Sequence, residues 1–81
     1  MKWRYGIVKT YPEGNNDPEF VLCEIYFEKN PEEVIAYSDG GTRIWTDDLR
    51  DPCQSVVQQL ENALRDCKKY PIFDSRSLKE D

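Results

Sequence analysis

Apolar residues recur at three- and four-residue steps along one stretch of the chain, between Asp51 and Tyr70. This spacing predicts an amphipathic α-helix. Asp51 can cap the free N–H groups of the first turn, Pro52 suits the first helical position, and Pro71 prevents the helix from continuing. We therefore expect one helix whose apolar stripe packs on a sheet while its amide-rich opposite face meets solvent. The stripe consists of Cys53, Val56, Val57, Leu60, Ala63, Leu64, Cys67 and Tyr70.

The chain before this helix reads as strands and loops. Alternation of apolar and polar residues predicts strands over Trp3–Tyr11 and Phe20–Lys29, and a third, short strand over Val34–Ser38. Residues 12–19 contain two prolines and no apolar side chain, so they are expected to form a loop. Residues 42–49 are interpreted as an extended crossing segment, with a fourth strand as the alternative.

These elements predict an α+β fold, with a three-stranded or four-stranded antiparallel sheet and one C-terminal helix packed on one face. Residues 1–74 are expected to form a single domain, and residues 75–81 a solvated tail. Residues 71–73 are expected to fold back as an apolar anchor. The helix stripe and the odd-numbered positions of the first two strands should supply the core.

The second face of the predicted second strand is half apolar, whereas a strand face in water should be mainly polar. Something must therefore cover part of it. The candidates are the crossing segment around Trp45, the C-terminal tail, a second copy of the chain, or a partner. The positions on this face are Phe20, Leu22, Glu24, Tyr26 and Glu28.

Charge is distributed unevenly along the 81 residues, whose net charge is −5. Residues 12–51 carry eleven acidic side chains against three basic ones. Such a surface disfavours direct binding of nucleic acid and can attract a basic protein surface. No apolar run approaches the roughly 20 residues of a membrane span, so no membrane contact and a cytoplasmic location are expected.

The chain has three cysteines and no histidine. Without histidine, the usual zinc sites and the Ser-His-Asp and Cys-His nucleophiles are unavailable within this chain. Cys23, Cys53 and Cys67 are interpreted as small buried thiols. We therefore expect neither enzymatic activity nor a cofactor.

Several other groups of residues have both a functional and a simpler structural interpretation. Gly40 and Gly41 match no phosphate-binding pattern and predict a plain turn. Glu24 and Glu28 would divide acid and base roles only in a pocket that separates their pKa values. Seven aromatic residues could stack on bases, but they lack the basic groove that such a surface needs, so core and interface roles are preferred. They are Trp3, Tyr5, Tyr11, Phe20, Tyr26, Tyr37 and Trp45. A set of carboxylates suits a hard cation but is expected to be solvated; it consists of Asp39, Asp47, Asp48 and Asp51.

Four segments together resemble a family of short, uncharacterised bacterial and phage proteins with a β-β-β-α order. They are Trp3-x-Tyr5, the strand residues 24–27, residues 36–38, and the helix end 70–74. The topology is also similar to that of the HicB antitoxin domain. The resemblance implies a fold and a prokaryotic or phage setting, without an activity.

The leading hypothesis is a small acidic, non-enzymatic protein-binding module of bacterial or phage origin. Its sharpest version is a phage inhibitor of a host defence nuclease that acts partly as a nucleic-acid mimic. The alternatives are a HicB-like antitoxin or regulatory subunit, and a homodimer of structural or unknown role formed by the second strand or its outer face. The expected partner is a protein with a basic surface. The predicted binding residues are Phe20, Leu22, Tyr26, Glu28, Glu32, Glu33, Trp45, Asp47 and Asp48.

Overall fold

A computed structural model of the protein describes residues 1–12 and 17–78. Four residues of the predicted loop over 12–19, and the last three residues of the predicted tail, lie outside the described residues. The elements follow the chain as β1 (Lys2–Thr10), β2 (Glu19–Phe27), β3 (Ala36–Tyr37), α1 (Pro52–Lys69) and β4 (Phe73–Asp74), with a 3₁₀ turn over Ser75–Ser77.

The strands form one sheet in the order β3-β2-β1-β4. β1 pairs with β2, and β2 with β3, in antiparallel fashion, whereas β4 runs parallel to β1. The α+β class with four strands and one C-terminal helix is confirmed, although the sheet is mixed rather than wholly antiparallel. The fourth strand lies in the segment that was expected to fold back as an anchor. Residues 42–49 form no strand, as the preferred interpretation stated.

The sheet is curled, so its two edge strands approach each other. In a flat sheet, the three gaps between β3 and β4 would separate these strands by about 14 Å. The rings of Tyr37 in β3 and Phe73 in β4 lie only 6.3 Å apart. Inside the curl, Val8, Cys23 and Ile25 are almost fully buried and form the centre of the core.

The prediction for the core-facing side of β1 was wrong. The β1–β2 register places Val8 opposite Val21 and Gly6 opposite Cys23, so the even-numbered side of β1 shares the apolar face of β2. Gly6 suits this side because a Cβ atom there would lie 2.7 Å from Cγ1 of Ile25. Of the odd-numbered side, Tyr5 is also buried, whereas Trp3 is 48% exposed.

Helix α1 begins and ends where the sequence predicts. The Asp51 side chain accepts a hydrogen bond from the Gln54 backbone N–H at 3.1 Å, and Pro52 occupies the first turn. Lys68 and Lys69 lie in the last turn, where positive charge complements the helix dipole.

The orientation of α1 differs from the expectation. Among the strands, the helix contacts mainly β1. The buried helix residues are Ala63 and Asp66, whereas Leu60 is 50% exposed and Leu64 is 57% exposed. The prediction that the whole apolar stripe packs on the sheet, with the polar face in solvent, was therefore wrong. Only one flank of the stripe faces inward.

The edge of β1 explains this orientation. Beyond its pairing with β4, β1 presents backbone groups that need polar partners. The backbone N–H of Tyr5 donates to Oδ2 of Asp66 at 3.1 Å, and the Tyr5 carbonyl accepts from Nη1 of Arg4 at 3.0 Å. The Tyr5 hydroxyl donates to Oε1 of Gln59 at 3.3 Å. The polar flank of α1 thus pairs a backbone N–H of the β1 edge that an apolar stripe would leave unpaired, while Arg4 of β1 itself pairs the carbonyl.

Arg4 ties three parts of the fold together. Its Nε donates to the Pro31 carbonyl at 2.9 Å, and its guanidinium lies 4.1 Å from the centre of the Tyr70 ring. Burial lowers the pKa of Arg4, while Tyr70 and Asp66 oppose that shift. The guanidinium therefore joins β1 to the turn after β2 and to the end of α1.

The three thiols differ in exposure. Cys23 is buried in the core, Cys67 is half-buried, and Cys53 is exposed. The expectation of a buried thiol was wrong for Cys53, because this residue belongs to the outward flank of the helix stripe.

The described part of the predicted tail contacts the sheet. Arg76 lies 3.4 Å from the centre of the Tyr11 ring, and the Tyr11 hydroxyl donates to Oδ2 of Asp74 at 3.1 Å. The Arg76 backbone N–H also donates to Oδ1 of Asp74 at 2.9 Å. These bonds, the backbone bond first, hold the pKa of Asp74 below its usual value.

Candidate functional site

A pocket of about 370 Å³ lies where the crossing segment passes the second face of the sheet. We call it the Trp3–Trp45 pocket. It contains both tryptophans of the chain, which are 48% and 56% exposed. Its other principal walls are Tyr5, Glu24, Asp47 and Asp48.

Strand β1 and the helix hold the aromatic wall of the pocket in place. The rings of Trp3 and Tyr5 meet edge to face, with centroids 5.0 Å apart and planes at 83°. The bond from Tyr5 to Gln59 fixes Tyr5 against α1. Because Tyr5 is buried and bonded, Trp3 has a rigid neighbour on one side and solvent on the other.

The opposite wall is held by the first turn of α1. The hydroxyl oxygens of Thr46 and Ser55 lie 2.6 Å apart. Thr46 also accepts from the backbone N–H of Asp48 at 3.0 Å, and Asp48 accepts from the backbone N–H of Arg50 at 2.9 Å. These bonds anchor the crossing segment beside the helix, and Trp45 projects from a fixed loop.

Three carboxylates line the pocket, those of Glu24, Asp47 and Asp48, together with one cation, Arg43. Glu24 raises the pKa of both Tyr5 and Tyr26, after the larger effect of burial. Among the described residues the only ion pair joins Arg65 to Asp66, so none of the pocket carboxylates is paired with a cation there. The pocket therefore combines aromatic faces with a net negative charge, because its three carboxylates outnumber its single arginine.

The structure brings together only part of the predicted binding set. Trp45, Asp47 and Asp48 line the pocket. Tyr26 is half-buried opposite Trp3 in the β1–β2 register, beside the pocket. Leu22 is half-buried opposite Ile7, farther along the same face.

The remaining predicted residues lie elsewhere. Phe20 is exposed opposite Lys9, at the far end of β2 from Tyr26. Glu28, Glu32 and Glu33 are exposed beyond the end of β2, in the connection to β3. Asn30 shapes this connection by accepting hydrogen bonds from the backbone N–H groups of Glu32 and Glu33.

Trp3, Tyr5 and Glu24 also line the pocket and were absent from the predicted set. The signal for them was the strand register: Trp3 pairs with Tyr26, and Tyr5 with Glu24. An antiparallel register cannot be read from alternation alone when the connecting loop is long, because several loop lengths give acceptable pairings.

A second cavity, of about 410 Å³, opens at the other end of the curl beside Tyr11, Cys23 and Tyr37. Gly40 and Gly41, both with positive φ, form part of its rim and make the predicted turn. Burial raises the pKa of the Cys23 thiol. A buried thiol with a raised pKa is a poor nucleophile.

The described residues include no group of three or more cysteine, aspartate or glutamate side chains placed to hold a metal ion. In the same part of the chain, no helix has the length and apolar character needed to cross a membrane.

The fold and the pocket together define a small α+β domain with an acidic aromatic recess on one side of its sheet. Comparison with family models, with curated proteins and with solved structures finds no match to this chain. The resemblance to bacterial and phage proteins, and to the HicB domain, therefore stays an expectation from the sequence.

Proposed function

We propose that this chain is a non-enzymatic protein-binding module whose Trp3–Trp45 pocket receives a basic side chain from a protein partner. The observation that carries this proposal is the placement of two half-exposed tryptophans around three carboxylates that outnumber the one arginine of the pocket and form no ion pair among the described residues. A guanidinium or ammonium group gains from the face of a tryptophan and from a carboxylate at the same time.

The charge of the molecule supports a basic partner. The net charge is −5, and the acidic segment 12–51 supplies both the pocket carboxylates and the exposed Glu28, Glu32 and Glu33. Such a distribution speeds encounter with a positive surface and makes the association sensitive to salt.

The sharpest form of the proposal is a phage inhibitor that occupies the nucleic-acid-binding surface of a host defence nuclease. A protein surface that binds the phosphates of nucleic acid is basic, and an acidic module can compete with the nucleic acid for that surface. In this form, DNA should compete with the chain for the nuclease and displace it. DNA should not displace the chain from a basic protein surface that does not bind nucleic acid.

The pocket can be tested directly because the only two tryptophans of the chain line it. We expect a short oligo-arginine peptide to change the tryptophan fluorescence saturably at low salt, and an oligo-glutamate peptide to leave it unchanged. Asp47→Asn combined with Asp48→Asn should lower the affinity for the arginine peptide about tenfold, if each exposed carboxylate–guanidinium pair contributes about 0.7 kcal/mol.

A matched control separates the pocket from general charge. Glu32→Gln combined with Glu33→Gln changes the net charge equally but lies outside the pocket. It should reduce peptide binding only slightly. Equal losses for the two double variants would show attraction to the whole acidic surface, and would contradict the assignment of the pocket. Trp45→Ala with unchanged peptide affinity would contradict it as well.

A further inference from the structure

The outward flank of helix α1 is an apolar stripe that nothing in the described part of the chain covers. It consists of Cys53, Val57, Leu60 and Leu64, which are all exposed. The exposed fraction rises from 37% at Val57 to 57% at Leu64. Adjacent exposed apolar side chains on one helix face make this stripe a candidate interaction surface.

The spacing of the stripe identifies the kind of surface that it fits. Its residues are separated by four, three and four positions, which is the alternation of a and d positions in a coiled-coil seam. A seam of this kind fits the same seam on another helix. The structure also leaves this side of the helix open, because the flank that carries Asp66 already serves the edge of β1.

We propose that two copies of this chain associate through this stripe, with their α1 helices antiparallel about a two-fold axis. In that arrangement Val57 packs against Leu60 of the second copy, and Cys53 against Leu64 of the second copy. Each layer joins a smaller side chain to a leucine, and the two-fold axis repeats both contacts.

The charges at the two ends of the helix favour the antiparallel orientation. Residues 47–51, at the start of α1, carry three carboxylates against one arginine. Residues 65–69, at its end, carry three basic side chains against one carboxylate. Antiparallel pairing places the acidic end of each helix beside the basic end of the other, and it also aligns the helix dipoles favourably.

The same register covers the apolar residue that precedes the helix. Leu49 is 91% exposed. In the antiparallel pair it lies beside Lys68 of the second copy, whose aliphatic stem can cover it while the ammonium group stays in water. A parallel pair would instead bring the two acidic ends together.

The contact involves one face of an 18-residue helix. That area is smaller than a standard stable interface, so we expect a dimer that dissociates on dilution. The apolar contact lies outside the Trp3–Trp45 pocket and does not depend on the proposed function, although Asp47 and Asp48 line the pocket and also belong to the acidic end of the helix.

Sedimentation of the purified chain over a wide concentration range tests the association. We expect a reversible monomer–dimer equilibrium that Leu60→Glu abolishes. Gln58→Glu introduces the same charge at an exposed position on the opposite side of the helix, and should leave the equilibrium nearly unchanged. Circular dichroism should show both variants folded, because neither side chain is buried in the monomer.

Cross-linking tests the orientation. In a Cys67→Ser background, Leu64→Cys should give an oxidised dimer through Cys53 of one copy and the introduced thiol of the other. The same background without the substitution should not form it, because the two Cys53 residues of an antiparallel pair lie about 16 Å apart along the helix axis. Within one chain the two thiols are separated by the same distance.

A single monomeric species at the highest concentration reached would overturn the proposal. So would equal effects of Leu60→Glu and Gln58→Glu on the equilibrium. A dimer linked readily through Cys53 of both copies without the substitution would reject the antiparallel register.

Discussion

Asp66 should contribute more to the stability of the monomer than Leu60 does, although Leu60 lies at the centre of the apolar helix stripe. Asp66→Ala removes the acceptor of the Tyr5 backbone N–H, at 3.1 Å, in a buried position. Leu60→Ala removes a side chain that is 50% exposed. The two substitutions thus test directly which side of α1 faces the sheet.

The expected magnitudes differ clearly. A hydrogen bond to a charged acceptor is worth about 1.5–3 kcal/mol, and its loss leaves a buried N–H group unpaired, so we expect Asp66→Ala to lower the free energy of unfolding by about 2–3 kcal/mol. Leu60→Ala loses part of an already incomplete burial and gains helix propensity, so we expect a cost below about 1 kcal/mol. A leucine packed fully on the sheet would cost about 2–5 kcal/mol.

Urea unfolding measured by circular dichroism gives both values, provided that the protein is dilute enough for any dimer to have dissociated. Asp66→Asn is the matched control: it keeps an acceptor oxygen and should fall between the wild type and Asp66→Ala. A larger loss for Leu60→Ala than for Asp66→Ala would refute the orientation of α1, and would restore the expectation that the apolar stripe packs on the sheet.

Three further outcomes follow from single contacts. Gly6→Ala should lower the free energy of unfolding by about 1–3 kcal/mol, measured by urea unfolding, because the added Cβ would lie 2.7 Å from Cγ1 of Ile25. A thiol-specific reagent should modify Cys53 rapidly in the folded protein and Cys23 only when the chain unfolds, and equal rates would contradict the fold. Asp74→Asn should reduce the loss of stability that the protein shows as the pH is lowered. The pKa of Asp74 is depressed in the folded protein, so the carboxylate stabilises the fold fully above its ordinary pKa near 3.9. This contribution is lost as the pH falls through the lower pKa of the folded state. The free energy of unfolding measured as a function of pH checks this. The same loss of stability at low pH in the wild type and in Asp74→Asn would count against the Asp74 contacts.

The proposals for the pocket and for the helix stripe make separable predictions. The peptide-binding assay reports on Trp3 and Trp45, whereas sedimentation reports on Leu60. Asp47→Asn combined with Asp48→Asn should lower the affinity for the arginine peptide strongly. The same double substitution should affect the monomer–dimer equilibrium mainly through the charge at the start of the helix. Leu60→Glu should abolish the dimer and leave the fluorescence response to the peptide in place.

The sequence by itself determined the elements with local signals. Helix α1 begins at Pro52 and ends at Lys69, because Asp51, Pro52 and Pro71 act on the backbone within one turn. β1 and β2 follow from alternation, and the turn at Gly40 and Gly41 follows from residues that tolerate positive φ. These features depend on neighbours in the chain, so they can be read without knowing the fold.

Tertiary structure alone decided which face of each element turns inward. Alternation could not choose between the two sides of β1, since the choice depends on its register with β2, which places Val8 opposite Val21. The apolar stripe of α1 suggested an apolar contact, but the open edge of β1 required an acceptor for the Tyr5 backbone N–H, and Asp66 supplied it. The Trp3–Trp45 pocket joins residues far apart in the chain for the same reason. The unpaired backbone edge of β1 positions the helix, and the first turn of the helix in turn positions residues 42–49, which carry Trp45.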